Sequence, residues 1–110
     1  MRNLRNRVQL IGNLGMDPEV KNLESGKIMA KLSIATADNY INSAGEKVED
    51  TQWHNVVAWG KNADLAGKYL CKGQQVCIEG KLNHRTYEDK NGETKYISEI
   101  IVNDFLFLKN

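Results

Sequence analysis

An all-β domain closed into a small barrel, with one short helix, is the fold class this sequence predicts. Three observations predict it. Residues 28–34 alternate cleanly, with Ile28, Ala30, Leu32 and Ile34 on one face and Met29, Lys31 and Ser33 on the other. That is the pattern of a strand buried on one side of an antiparallel sheet. Residues 75–82 repeat it, with Val76, Ile78, Gly80 and Leu82 on one face. Clusters of Gly, Asn, Asp and Ser punctuate the chain between such runs, and only residues 62–70 read as a helix.

The chain opens with a strand over residues 5–14, Val8 and Leu10 on one face. Gly12 inside it marks the bend or bulge that a small barrel needs. Met16-Asp17-Pro18-Glu19 is a turn carrying the only proline. A short extended piece over Val20–Leu23 runs into the hairpin signal Glu24-Ser25-Gly26-Lys27. After the strand at 28–34, residues 38–47 read as a polar loop that exposes Tyr40 and Ile41. Loops on rigid scaffolds often carry function.

Residues 51–61 form a long central strand. The helix over 62–70 takes Asn62 as its N-cap, Asp64 at the positive end of its dipole, Leu65 and Tyr69 at i, i+4, and Lys72-Gly73 as its stop. It is short and contains Gly67, so it needs tertiary contacts and is expected to plug one end of the sheet. The strand at 75–82 continues through His84, Arg85 and Tyr87 to the Asn91-Gly92 turn. A protruding hairpin is expected there, with Tyr87 and Tyr96 on its arms. Tyr96–Val102 is the last long strand, and Phe105-Leu106-Phe107-Leu108 either extends it or forms an interface patch. Three strands, one short α-helix between strands 3 and 4, then strands 4 and 5: this is the order of a five-stranded Greek-key OB-fold barrel, the oligonucleotide/oligosaccharide-binding type.

Composition narrows the function. With 110 residues, 41% apolar and 26% charged, the whole chain, 1–110, is one ordinary globular domain. No apolar run reaches the roughly 18 residues of a membrane helix. The basic start, Met1 to Arg7, lacks the apolar stretch of a secretory signal, so a cytoplasmic location is expected. A net charge of +1 is too balanced to argue for nucleic acid, although Arg2, Arg5 and Arg7 all precede the first acid, Asp17. Cys71 and Cys77 have no second pair and no nearby histidine for a zinc set, so free thiols and no metal or cofactor are expected. His54 and His84 have no nucleophile in a recognisable context, and no phosphate-binding glycine loop, dinucleotide fingerprint or H-E-x-x-H appears. An enzyme is not expected.

The central strand is the informative one. In extended chain Trp53, Asn55, Val57 and Trp59 share one side, and His54, Val56 and Ala58 the other. Both tryptophans thus stand on one face. Parity leaves two readings open. They are core aromatics, which bury roughly 150–250 Å² each, or they are a platform on which another flat group lies. Asn55 between them is a residue that a dry core does not want without a partner. Tyr40 and Tyr87 add aromatics before and after this strand, and Arg5, Arg7, Lys61, Lys72 and Arg85 are candidate phosphate contacts by position. Bases stack on aromatics whatever their sequence, at about 1–3 kcal/mol each.

Four segments, Val8–Val20, Thr51–Lys61, Tyr69–Gly73 and Val76–Leu82, closely resemble the bacterial single-stranded DNA-binding protein family, and the likeness runs from about Arg5 to Asn103. The resemblance implies the barrel, homotetramer assembly, and sequence-independent binding and protection of single-stranded DNA in replication, recombination and repair. It implies stacking at Trp53 and Trp59, with Tyr40 and Tyr87 standing where the family often has tryptophan. Arg85 and Lys61 match basic DNA-contacting positions, and His54 matches a histidine at a subunit contact.

There are departures. Asn55, Asn83 and Thr86 stand where family members often carry Arg or Lys, and Cys71 replaces a frequent basic residue. Fewer phosphate contacts and a shallower salt dependence follow. The sequence stops at Phe107-Leu108-Lys109-Asn110 without the flexible linker and acidic C-terminal tail usual in the family. Either that tail has been trimmed or this is a tail-less member such as a mobile-element or accessory copy, and the two readings leave tail-mediated recruitment of replication and repair proteins in doubt. A protein-interaction barrel is the competing class, and the retained aromatics argue against it. An RNA-chaperone barrel would carry clustered Phe motifs that this chain lacks.

Overall fold

The computed structural model describes residues 4–108; Arg2 of the basic start and Lys109-Asn110 of the chain end lie outside the described residues. The elements follow in the order β1 (Val8–Leu14), β2 (Glu19–Asn22), β3 (Ile28–Ile41), β4 (Lys47–Trp59), α1 (Lys61–Tyr69), β5 (Gln75–Glu88) and β6 (Thr94–Phe107). The hydrogen-bonded order is β1-β5-β6-β4-β3-β2, and a further β1–β3 pairing closes the sheet on itself. The barrel is thus made by β1, β3, β4, β5 and β6. The helix falls between the third and fourth of these five long strands, as expected, and β2 is a four-residue strand at the edge of β3.

Closure happens at Gly12. β1 pairs with β5 from Val8 to Asn13 and passes to β3 at Asn13 and Leu14. At this handover a Cβ on Gly12 would stand 2.3 Å from the Ala35 carbonyl oxygen, so only glycine lets the two backbones approach.

The three hairpins, β2–β3, β3–β4 and β5–β6, use one turn. Each has three loop residues ending in a glycine of positive φ: Gly26 at 86°, Gly45 at 78° and Gly92 at 79°. The middle one is closed by Asn42 N–H to the Glu46 carbonyl at 2.9 Å and Gly45 N–H to the Asn42 carbonyl at 3.0 Å. The polar loop expected over 38–47 is therefore mostly strand. β3 runs to Ile41, β4 begins at Lys47, and Asp38, Asn39 and Tyr40 pair with Asp50, Glu49 and Val48. A two-stranded ladder satisfies its backbone groups whatever the side chains, so polar composition did not prevent it. The β3–β4 and β5–β6 ribbons run beyond the barrel. The radius of gyration, 16.0 Å, exceeds the roughly 13 Å of a compact chain of this length.

The core holds Leu14, Ala30, Leu32, Ile34, Val56, Ala58, Val76, Ile78, Ile100 and Val102 from the strands. Ala63, Ala66 and Leu70 complete it from the helix and its C-cap, so the helix plugs one end as expected. Its N-cap is Gly60, not Asn62. Gly60 belongs to both elements: its N–H donates to the Ile28 carbonyl at 2.8 Å, and its carbonyl accepts the Asp64 N–H at 3.0 Å. Asn62 instead donates from Nδ2 to the Asn103 carbonyl at 3.3 Å. The terminal Phe105–Phe107 run belongs to β6, with Phe107 opposite Val76, and so extends the fifth long strand.

Candidate nucleic-acid interface

β4 sorts its side chains by parity. Val56 and Ala58 enter the core and His54 is half-buried, whereas Trp53 and Trp59 are 62% and 40% exposed on the outer face. Neither tryptophan belongs to the core. On β3 the residues opposite the row are Ala35 for Trp53, Ser33 for Asn55, Lys31 for Val57 and Met29 for Trp59. Two exposed indoles therefore flank a strip that is polar and basic. Val57 faces outward but is buried, because a groove closes over it, lined by Met16, Lys31, Asn55, Arg85, Ile97 and Glu99 among others.

Charge in this groove is organised around Glu99, which is only 7% exposed. Its Oε1 accepts from Arg85 Nε at 2.9 Å and from Asn83 Nδ2 at 3.4 Å. The hydrogen bond runs through Nε, the inner edge of the guanidinium, and the Arg85 side chain is 45% exposed. Lys31 stands on the groove, and Lys27 and Lys61 line a shallow apolar cleft with Trp59. These lysines make no ion pair among the described residues.

The other candidates divide. Tyr87, 47% exposed, continues the Arg85 face along the β5–β6 arm, so Trp53, Trp59, Arg85 and Tyr87 belong to one side. Tyr40, 52% exposed, has the parity of Ile34 and leaves the β3–β4 ribbon on the other face. Lys61 opens the helix beside Trp59, and Lys72 is exposed with its N–H on Asp17 Oδ1 at 2.8 Å. Arg5 is exposed just before β1. Arg7 is not brought to the groove: it pairs with Glu79 at 2.9 Å, and both line a cavity with Gln9, Cys77, Asp104 and Leu106 that contains none of the four aromatics. His54 bonds Thr36 Oγ1 through Nε2 at 2.9 Å. Cys71 is exposed and Cys77 half-buried, both free. Lys27, Lys31 and Glu99 join the site without having been expected there from the sequence. Lys31 was legible as the polar-face residue of the clean alternation, whereas nothing in the Tyr96–Val102 run marked Glu99 as a buried carboxylate.

Residues 5–108 match the single-strand binding protein family. The chain belongs to that family. It is 45% identical over 104 residues, 94% of its length, to single-stranded DNA-binding protein 1 of Chlorobaculum tepidum, and spans 64% of that relative. Among solved structures it is similar to a Plasmodium falciparum single-strand binding protein in complex with single-stranded DNA, at 35% identity and a TM-score of 0.88, covering 99% of this chain and 98% of that one. A deletion mutant of the single-stranded DNA binding protein from Thermus aquaticus is similar at 30% identity and a TM-score of 0.83, over 94% of this chain and 50% of that one. The fold locates three of the residues expected to depart from the family's pattern. Asn55 lies in the groove, Asn83 bonds Glu99, and Thr86 is on the reverse face of the arm from Tyr87.

Proposed function

We propose that this protein sheathes single-stranded DNA without regard to sequence and without catalysis, in replication, recombination and repair. The observation that carries the reading is the outer face of β4, with exposed Trp53 and Trp59 either side of Asn55 and with Lys31 and Arg85 on the groove between. An indole accepts the face of any unpaired base, at about 1–3 kcal/mol per stack. In a duplex those faces are covered by neighbouring bases, so the platform selects single strands. Hairpins melt because the protein draws on their unpaired state by mass action. Lys31, Lys61, Lys72 and Arg85 neutralise phosphates, Tyr87 extends the platform along the arm, and Tyr40 receives strand on the far side of the other ribbon.

Assembly into a homotetramer, in the cytoplasm, is part of the proposal. The outer edge of β1 from Val8 to Gly12 has no strand beside it among the described residues. Next to that edge, Ile11, Cys77 and Leu106 form a cross-strand row, with Ile11 51% and Leu106 63% exposed. Both features suit pairing with further copies, and His54 is the expected subunit contact.

The test is fluorescence anisotropy of labelled oligo-dT, oligo-rU and duplex DNA over a salt series. Tight, salt-dependent binding of oligo-dT with weak duplex binding supports the proposal. Equal affinity for duplex rejects stacking as its basis, and no binding at low salt favours a protein-interaction barrel.

A further inference from the structure

Gly15 needs no glycine for its backbone. Gly26, Gly45, Gly60, Gly73 and Gly92 have positive φ, and Gly15 does not. What is unusual lies above it. A Cβ on Gly15 would stand 2.3 Å from Cζ3 and 2.9 Å from Cη2 of Trp53, so the six-membered ring of that indole rests on the Gly15 backbone. The loop under the ring is tied down on several sides. Gly15 N–H donates to the Ser33 carbonyl at 2.9 Å, Leu14 N–H to the Gln74 carbonyl at 3.0 Å, and Gly73 N–H to the Leu14 carbonyl at 2.8 Å. Two residues on, Asp17 Oδ1 accepts the Lys72 N–H.

We propose that Gly15 is a positioning residue, a seat that holds the Trp53 indole in its stacking pose before DNA arrives. The proposal rests on the single-stranded DNA reading above. An exposed tryptophan without a support would sample several rotamers and lose that freedom on binding, which weakens affinity. A bare backbone beneath the ring removes the alternatives on one side. With the loop anchored and β4 in the barrel wall, an alanine methyl leaves the ring as the part that must move. It must lift by about 1 Å or more to reach ordinary contact distance.

The experiment uses the Trp59→Phe protein as parent, so that Trp53 is the only fluorophore of its kind. Gly15→Ala, Trp53→Ala and their combination are compared with it by oligo-dT anisotropy. Gly15→Ala is expected to shift Trp53 emission to longer wavelength, to weaken oligo-dT binding about three- to tenfold, and to leave the circular dichroism unchanged. Added to Trp53→Ala it should change affinity less than twofold, because the ring it disturbs is gone. Equal losses with and without Trp53, or unchanged emission, overturn the seat. If Trp53→Ala binds like the parent, stacking at Trp53 fails while the emission shift still decides the seat. Should Gly15→Ala not fold, adding Trp53→Ala restores folding if the ring is the obstacle, and continued misfolding overturns the proposal.

Discussion

Replacing Arg85 with alanine strands the Glu99 carboxylate. Glu99 is 7% exposed and among the described residues keeps, after the change, the longer contact from Asn83 at 3.4 Å. Removing one partner of a buried pair costs about 3–5 kcal/mol. The Arg85 side chain is 45% exposed, so water already screens this pair and the expected loss falls to about 1–3 kcal/mol. For a domain of this size each kcal/mol lowers the melting temperature by about 4–6 °C. The comparison is made at one protomer concentration, because assembly links melting to concentration. Adding Glu99→Gln removes the stranded charge and should return most of the lost stability. DNA binding should behave otherwise. With Arg85 on a phosphate, as proposed, its loss should lower the slope of log affinity against log salt by about 0.7 for a single strand, and the second substitution should not restore it. An unchanged melting temperature in the single variant, or no recovery in the double, would refute the charge argument. An unchanged salt slope would take Arg85 off the phosphates.

Three further outcomes are expected. Gly12→Ala forces a methyl against the Ala35 carbonyl at the barrel closure and should cost about 1–3 kcal/mol, read from the urea midpoint. Trp59→Ala should weaken oligo-dT binding by about 1–3 kcal/mol, roughly 5- to 150-fold, while circular dichroism reports an intact barrel; a loss of fold would make that ring structural. His54→Lys should move the protein toward smaller species in sedimentation, and an unchanged profile removes His54 from the subunit contact.

The barrel was legible because its strands are buried on one face, so that Ile28-Ala30-Leu32-Ile34 and Val76-Ile78 wrote a two-residue period into the chain. The ribbon ends were less legible. Beyond the barrel no residue of 38–41 or 47–50 is fully buried, so Tyr40, Ile41 and Val48 are interleaved with charged and amide residues without a core-facing period, and the pairing is held by backbone and by the Gly45 turn. The Gly60 cap was hidden for a related reason: a side-chain N-cap leaves a mark in sequence, and a backbone group shared between strand and helix does not. At the site, alternation placed Trp53 and Trp59 on one face, and only the fold could decide that this face is outside. The Glu99–Arg85 pair and the Gly15 seat join residues 14 and 38 positions apart, through register and loop anchoring that no local pattern records.

The central claim is that the two indoles receive unpaired bases. It is tested most directly by titrating the intrinsic tryptophan fluorescence with long oligo-dT, which cannot pair with itself, beside duplex DNA of equal length. Strong quenching by oligo-dT and little by duplex is expected. Oligo-dT that leaves the fluorescence unchanged at low salt would contradict it.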